Sequence, residues 1–195
     1  AIPWATWGLA AALVAAFALT QQNLQTAVER FGLMPAEVWR GGGLTLLTSF
    51  FIHAGPWHLI ANLYFLLVFG DNVEDYLGHW RFVFLLVAAT LAGHAAHVLG
   101  EPRGTIACVG ASGGISGVIA FYALRFPHAR LGIMFRYFLL FRWFYMPAWF
   151  ALILWLVLQS VLAFVQLAGA GNVSALAHLG GAAVGVLAWI AWRQK

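Results

Sequence analysis

Charge is what this sequence has least of. Only 8% of its 195 residues are Asp, Glu, Lys or Arg, where a soluble domain carries about a quarter. Lysine occurs once, as Lys195. That poverty excludes a water-solvated surface over most of the chain, and with 63% hydrophobic residues the medium left is lipid. Cysteine is confined to Cys108, which excludes an intramolecular disulfide, and the lone thiol reads as a small buried filler. The net charge is +4, but the arginines border apolar segments instead of forming a run. They are read as orienting the chain in a bilayer, which excludes a nucleic-acid partner. No His-Glu-x-x-His element, fixed-period repeat or low-complexity stretch is present. The expectation is one membrane domain over residues 1–195. Residues 1–20 are apolar like a signal peptide but lack its basic start, and the opening at Ala1 is consistent with a trimmed upstream segment.

What the sequence does have is apolar runs. A helix needs about 20 apolar residues to cross the ~30 Å hydrocarbon layer. Runs over 4–20, 58–70, 80–99, 112–126, 147–168 and 174–192 predict an all-α bundle of six transmembrane helices. Their stops are chemical: Asp71-Asn72, Gly100-Glu101-Pro102, Phe126-Pro127 and Gly169-Ala170-Gly171-Asn172. The second and fourth are short. The connection over 21–57, with Gly41-Gly42-Gly43, is expected on or partly in the membrane. The one over 127–146, with Arg130, Arg136 and Arg142 among aromatics, is expected at the interface. Loops on the N-terminal side hold Arg81, Arg125, Arg130, Arg136 and Arg142, joined by Arg193 and Lys195, against Arg30, Arg40 and Arg103 opposite. Seven against three places both termini in the cytoplasm, so the second, fourth and sixth helices run inward from the outer face.

Polar side chains inside such helices are costly and point to function. His58 and Asn62 open the second helix, Ser112 and Ser116 the fourth, and His178 the sixth. Counted back from Asp71, Arg125 and Arg193, the depths of His58, Ser112 and His178 are about 20, 20 and 22 Å above the inner boundary. A serine and a histidine at one depth suit nucleophilic catalysis, in which a neutral imidazole takes the hydroxyl proton. Ser112 starts its helix, where free N–H groups and the helix dipole favour an oxyanion. His58 and Asn62, four apart, face the same way. No carboxylate falls within a span, so a Ser–His dyad is the economical reading.

Blander readings stand beside this one. A lone membrane serine is more often a packing residue, and the glycines of 110–117, like Gly181 and Gly185, have small-xxx-small spacing that packing alone explains. Ser116 competes with Ser112 one turn deeper. His94 and His97, three apart, offer a metal pair with His58 or His178, but with no carboxylate beside them no metal is expected.

At these residues the chain resembles the rhomboid family of intramembrane serine proteases. Gly110-Ala111-Ser112-Gly113 matches the nucleophile motif Gly-x-Ser-Gly, Ala177-His178-Leu179-Gly180-Gly181 the motif Ala-His-x-x-Gly, and His58-Leu59-Ile60-Ala61-Asn62 the element His-x-x-x-Asn. His53 is similar to a recurrent structural histidine of the family. Residues 70–78 resemble its glycine–glutamate–glycine turn, and Trp39-Arg40 its first loop, with more residues than usual before His53. The resemblance runs from about Trp39 to the C-terminus. It implies cleavage of transmembrane protein substrates in or next to their spans, with Ser112 as nucleophile and His178 as base and acid. His58, Asn62 and the Ser112 N–H would stabilise the oxyanion, no cofactor or metal is implied, and the fifth helix would be a lateral gate. Some relatives carry an aromatic residue at the position of Ser116. The expected location is a prokaryotic cell membrane. Two alternatives use the same polar residues. A transporter would need a polar path to the inner face, where only Gln159 and Ser160 lie at mid-depth; the other is a non-catalytic rhomboid-like protein that binds membrane clients.

Overall fold

The computed structural model describes residues 2–137, 140–170 and 173–193. Gly171, Asn172 and Lys195, used above for a helix break and for the charge count, lie outside the described residues. The helices are α1 (Trp4–Thr20), α2 (Leu24–Phe31), α3 (Thr45–Thr48), α4 (Pro56–Leu77), α5 (His79–Gly100), α6 (Ser112–Arg125), α7 (Ala148–Leu167) and α8 (Ala175–Trp192). Strands β1 (Arg130–Tyr137) and β2 (Leu140–Pro147) stand between α6 and α7.

The chain is a mostly helical membrane protein. Among the described residues the stretch Trp4–Phe31 and helices α5, α7 and α8 are long and apolar enough to span a bilayer. The pair Thr45–Phe51 and Pro56–Leu77, bent by 94°, makes a fifth if taken as one broken span. Helix α6 has 14 residues, about 21 Å of helix against a ~30 Å layer, so the expected count of six is not reached by length and composition. Large apolar side chains line the outside, Trp80 at 87% exposure among them, as lipid-facing surface requires.

Two expectations need correction. The fold is not all-α, because β1 and β2 form an antiparallel hairpin from Arg130↔Pro147 to Tyr137↔Leu140. Ile133, Trp143, Phe144 and Tyr145 favour a pleated surface. On one face the Arg130 guanidinium lies 5.0 Å from the Tyr145 ring centre and Arg136 5.7 Å from Phe141. Nor does the second helix stop at Asp71-Asn72. Asn72 is exposed, and its side chain reaches the Val68 carbonyl and Asp71 Oδ1, while Val73, Glu74 and Leu77 bury one face onward to Leu77. Gly78, at φ 79°, ends the helix. Asp71 is therefore no inner boundary, and packing, not helix counting, fixes the height of His58.

The core is organised around α6, nearly all of which is buried, from Gly113 through Val118 and at Ala120, Phe121 and Ala123. Its neighbour is α8. A Cβ on Gly181 would collide with the Gly113 carbonyl oxygen, and one on Gly185 with that of Gly117. The two glycine pairs, each four apart, let the backbones touch. At the other end of the bundle, buried Glu74 accepts from the N–H groups of Ala5 and Thr6, at 2.8 and 2.7 Å, and from the Thr6 hydroxyl at 2.7 Å. It thereby caps α1 across 68 residues of sequence. His79 Nδ1 completes the cluster on Glu74; the sequence alone gave His79 no role.

Candidate active site

Ser112 is the first residue of α6, so the N–H groups of that turn have no intrahelical acceptor. The glycine seam holds α8 against it, and His178 Nε2 lies 2.8 Å from Ser112 Oγ. On its other nitrogen, His178 Nδ1 is 2.8 Å from Gln159 Oε1 of α7. An amide oxygen only accepts, so the proton sits on Nδ1 and Nε2 offers its lone pair to the serine hydroxyl. The Trp155 ring, one turn before Gln159, is centred 6.4 Å from the imidazole at 34°.

His58 has the opposite tautomer. Its Nδ1 accepts from the Ala54 N–H at 3.3 Å, and a backbone N–H cannot accept, so Nε2 carries the proton. That Nε2 faces Gly110, where φ is 111° and an added Cβ would lie 2.6 Å from it. Only glycine fits between this imidazole and the turn into α6. His53 backs His58: it is fully buried, donates from Nδ1 to the Phe51 carbonyl at 3.3 Å, and packs edge-on to His58 at 5.0 Å.

Ser112, His178, His58 and Asn62 all line one cavity of about 480 Å³, and Gln159 and Trp155 form part of its wall. Asn62 is turned differently from expectation. Its Nδ2 donates to the carbonyl of His58 at 2.9 Å, which leaves one amide hydrogen for the cavity. Ser116 does not reach an imidazole; its hydroxyl donates to the Ser112 carbonyl at 2.7 Å, a bond to the preceding turn. His94 Nδ1 donates to the Leu46 carbonyl at 2.9 Å, which fixes the proton there. His97 Nδ1 contacts Ser174 Oγ at 2.9 Å and Gln166 Nε2 at 3.1 Å. Each of these two is thus engaged by protein. Burial pushes the Cys108 thiol up to about 11, so it is not a thiolate nucleophile near neutrality.

Sequence reading missed Gln159 as a partner of His178. The available signal was one of two uncharged amides in a mostly apolar helix, and only folding shows which histidine it meets. Ser160, beside it, is exposed and returns its hydroxyl to the Leu156 carbonyl at 2.8 Å, so the two do not continue one polar path inward.

Comparison with known proteins agrees on one family. Residues 35–194 match the model of the Rhomboid domain. The chain is 28% identical to the RHOMBOID-like protein 12, mitochondrial, of Arabidopsis thaliana, over 88% of this chain and 53% of that protein. It is 32% identical to the putative rhomboid protease YdcA of Bacillus subtilis over 47% of this chain and 43% of that one. Against the mouse presenilin-associated rhomboid-like protein, mitochondrial, identity is 33% over 46% and 24%. The chain spans about half the length, or less, of these curated relatives.

Proposed function

This chain belongs to the rhomboid family, and from that premise we propose that it is an intramembrane serine endopeptidase acting on transmembrane protein substrates. The observation that carries the reading is the 2.8 Å contact between Ser112 Oγ and His178 Nε2. In this mechanism Nε2 takes the hydroxyl proton as Oγ attacks the scissile carbonyl carbon. The oxyanion is met by the Ser112 N–H at the start of α6, by the His58 Nε2–H and by the free amide hydrogen of Asn62. The intermediate collapses, the C–N bond breaks, and the His178 imidazolium gives its proton to the leaving nitrogen. A water, deprotonated by the same imidazole, then attacks the acyl carbon, the C–Oγ bond breaks, and the imidazolium returns the proton to Oγ. The residues supply nucleophile, base and donors from the chain itself, and no cofactor or metal enters a step.

The proposal includes a single domain over residues 1–195 embedded in the bilayer, with α4 and α6 completing six membrane segments and both termini cytoplasmic. Residence in a prokaryotic cell membrane belongs to it too, and the mitochondrial names of several relatives weigh against that part. The test is labelling by a fluorophosphonate probe in detergent, together with cleavage of a reporter transmembrane segment. Wild type and Ser116→Ala are expected to be labelled and to cleave; Ser112→Ala and His178→Asn are expected to do neither. A folded wild type that neither labels nor cleaves would select the non-catalytic, client-binding reading.

A further inference from the structure

Helix α7 meets the rest of the molecule along a narrow stripe, Ala148, Leu152, Gln159, Ala163 and Gln166. Its other faces carry exposed Val157, Val161 and Phe164, as lipid contact demands. Two primary amides among five buried positions are conspicuous, because a buried amide without a partner costs more than the leucine that would fill the same space. Gln159 has a partner, and it is the nitrogen of His178 opposite the serine.

We infer that Gln159 is a positioning residue that holds His178 in the Nδ1–H tautomer and so keeps a lone pair aimed at Ser112. The inference rests on the Ser112–His178 dyad proposed above. With the proton on Nε2 instead, the serine hydroxyl would face a donor and could not lose its proton. In a Ser–His–Asp triad a carboxylate fixes that tautomer. A carboxylate here would be a charge inside a lipid-embedded bundle, whereas an amide oxygen performs the same geometric task uncharged. Helix geometry adds a second constraint: Trp155, four residues earlier and on the same face, stands beside the imidazole, so the ring is set by α7 on one side and by α6 on the other. Base and nucleophile are therefore aligned only while α7 is seated.

Nitrogen NMR of the full chain in detergent, labelled at histidine and with the His178 signals identified by their loss in His178→Asn, reads the tautomer without needing activity. In wild type His178 is expected to be protonated at Nδ1. Gln159→Leu is expected to move protons to Nε2, and Gln159→Glu, which keeps an acceptor of the same shape, to restore Nδ1–H. The fluorophosphonate labelling rate is expected to fall about tenfold in Gln159→Leu and to return to within about threefold of wild type in Gln159→Glu. A merely structural role would lower thermal stability in both variants without moving the tautomer. The inference is overturned if wild-type His178 is protonated at Nε2, or if Gln159→Leu keeps the wild-type tautomer. If wild type is not labelled, yet shows an Nδ1–H that Gln159→Leu removes, the proteolytic reading fails and the positioning role stands.

Discussion

The two seams that meet at His178 are built on different principles. Between α6 and α8 the closest contact is backbone on backbone, with Gly113 and Gly117 against Gly181 and Gly185. Between α7 and α8 the contacts with polar character come from the two glutamines, Gln159 on His178 and Gln166 on the first turn of α8. The first kind of seam fixes a distance, since close-packed backbones have nowhere to move. The second fixes an orientation through hydrogen bonds that a displaced helix can break and remake. The Ser112–His178 spacing is thus a property of the rigid seam, and the tautomer of His178 a property of the adjustable one.

The strongest way to break this contrast is to force the rigid seam apart. Gly181→Val places a branched side chain against the Gly113 carbonyl and should destabilise the protein by about 3 kcal/mol, at the upper end of overpacking costs. Because a shift of about 1 Å in a reacting group costs on the order of 100-fold in rate, labelling of Ser112 should fall at least that far. Thermal unfolding in detergent, read beside labelling of the folded fraction, separates the two losses. A labelling rate near that of wild type would mean that the glycine seam does not set the dyad distance.

Next in size is His58→Ala, which leaves both seams intact and removes one donor of the proposed oxyanion site. Loss of such a donor costs on the order of 100-fold in turnover, and cleavage of the reporter segment should fall accordingly. The contact between Ser112 and His178 should survive, so the drop should be specific to substrate turnover, with the unfolding temperature close to that of wild type apart from the small cavity left beside His53. Equal losses in turnover and stability would make His58 a structural residue like its neighbour.

Much of this was legible before folding. Ser112, His178, His58 and Asn62 stood out because a polar group in an apolar helix is costly, although a lone membrane serine is more often a packing residue, and the helical period placed them at one end of their segments. The seam glycines were legible through their spacing. Other features were not, for physical reasons. Asp71-Asn72 looked like a helix stop because composition does not reveal that Asn72 would point outward and be satisfied locally while Glu74 went on to cap α1. The hairpin over 130–147 was hidden because aromatic residues and arginines suit an interfacial helix and a pleated ribbon equally, and only cross-strand pairing separates the two. Gln159 was visible as a residue and invisible as a partner, since three spans carry His94, His97, Gln159, Gln166 and His178 and periodicity does not say which of them meet.

The finest distinction lies within the adjustable seam itself. Gln166 also contacts a histidine, but through its nitrogen: Nε2 is 3.1 Å from His97 Nδ1, while Oε1 accepts from the Leu176 N–H at 3.1 Å. It ties the end of α7 to the start of α8 and to α5 and touches neither Ser112 nor the imidazole of His178. Gln166→Leu would leave the half-buried Leu176 N–H without its acceptor, which costs about 1 kcal/mol or more, and should lower the unfolding temperature more than Gln159→Leu does. Labelling of the folded fraction should change by less than about threefold, because His178 keeps its own glutamine and both hydrogen bonds lost, to the Leu176 N–H and to His97, lie away from Ser112. If Gln166→Leu instead slowed labelling as much as Gln159→Leu, the two amides would be acting together through the seating of α7. The base would then be held by the helix as a whole, with no special part for the one side chain in contact with it.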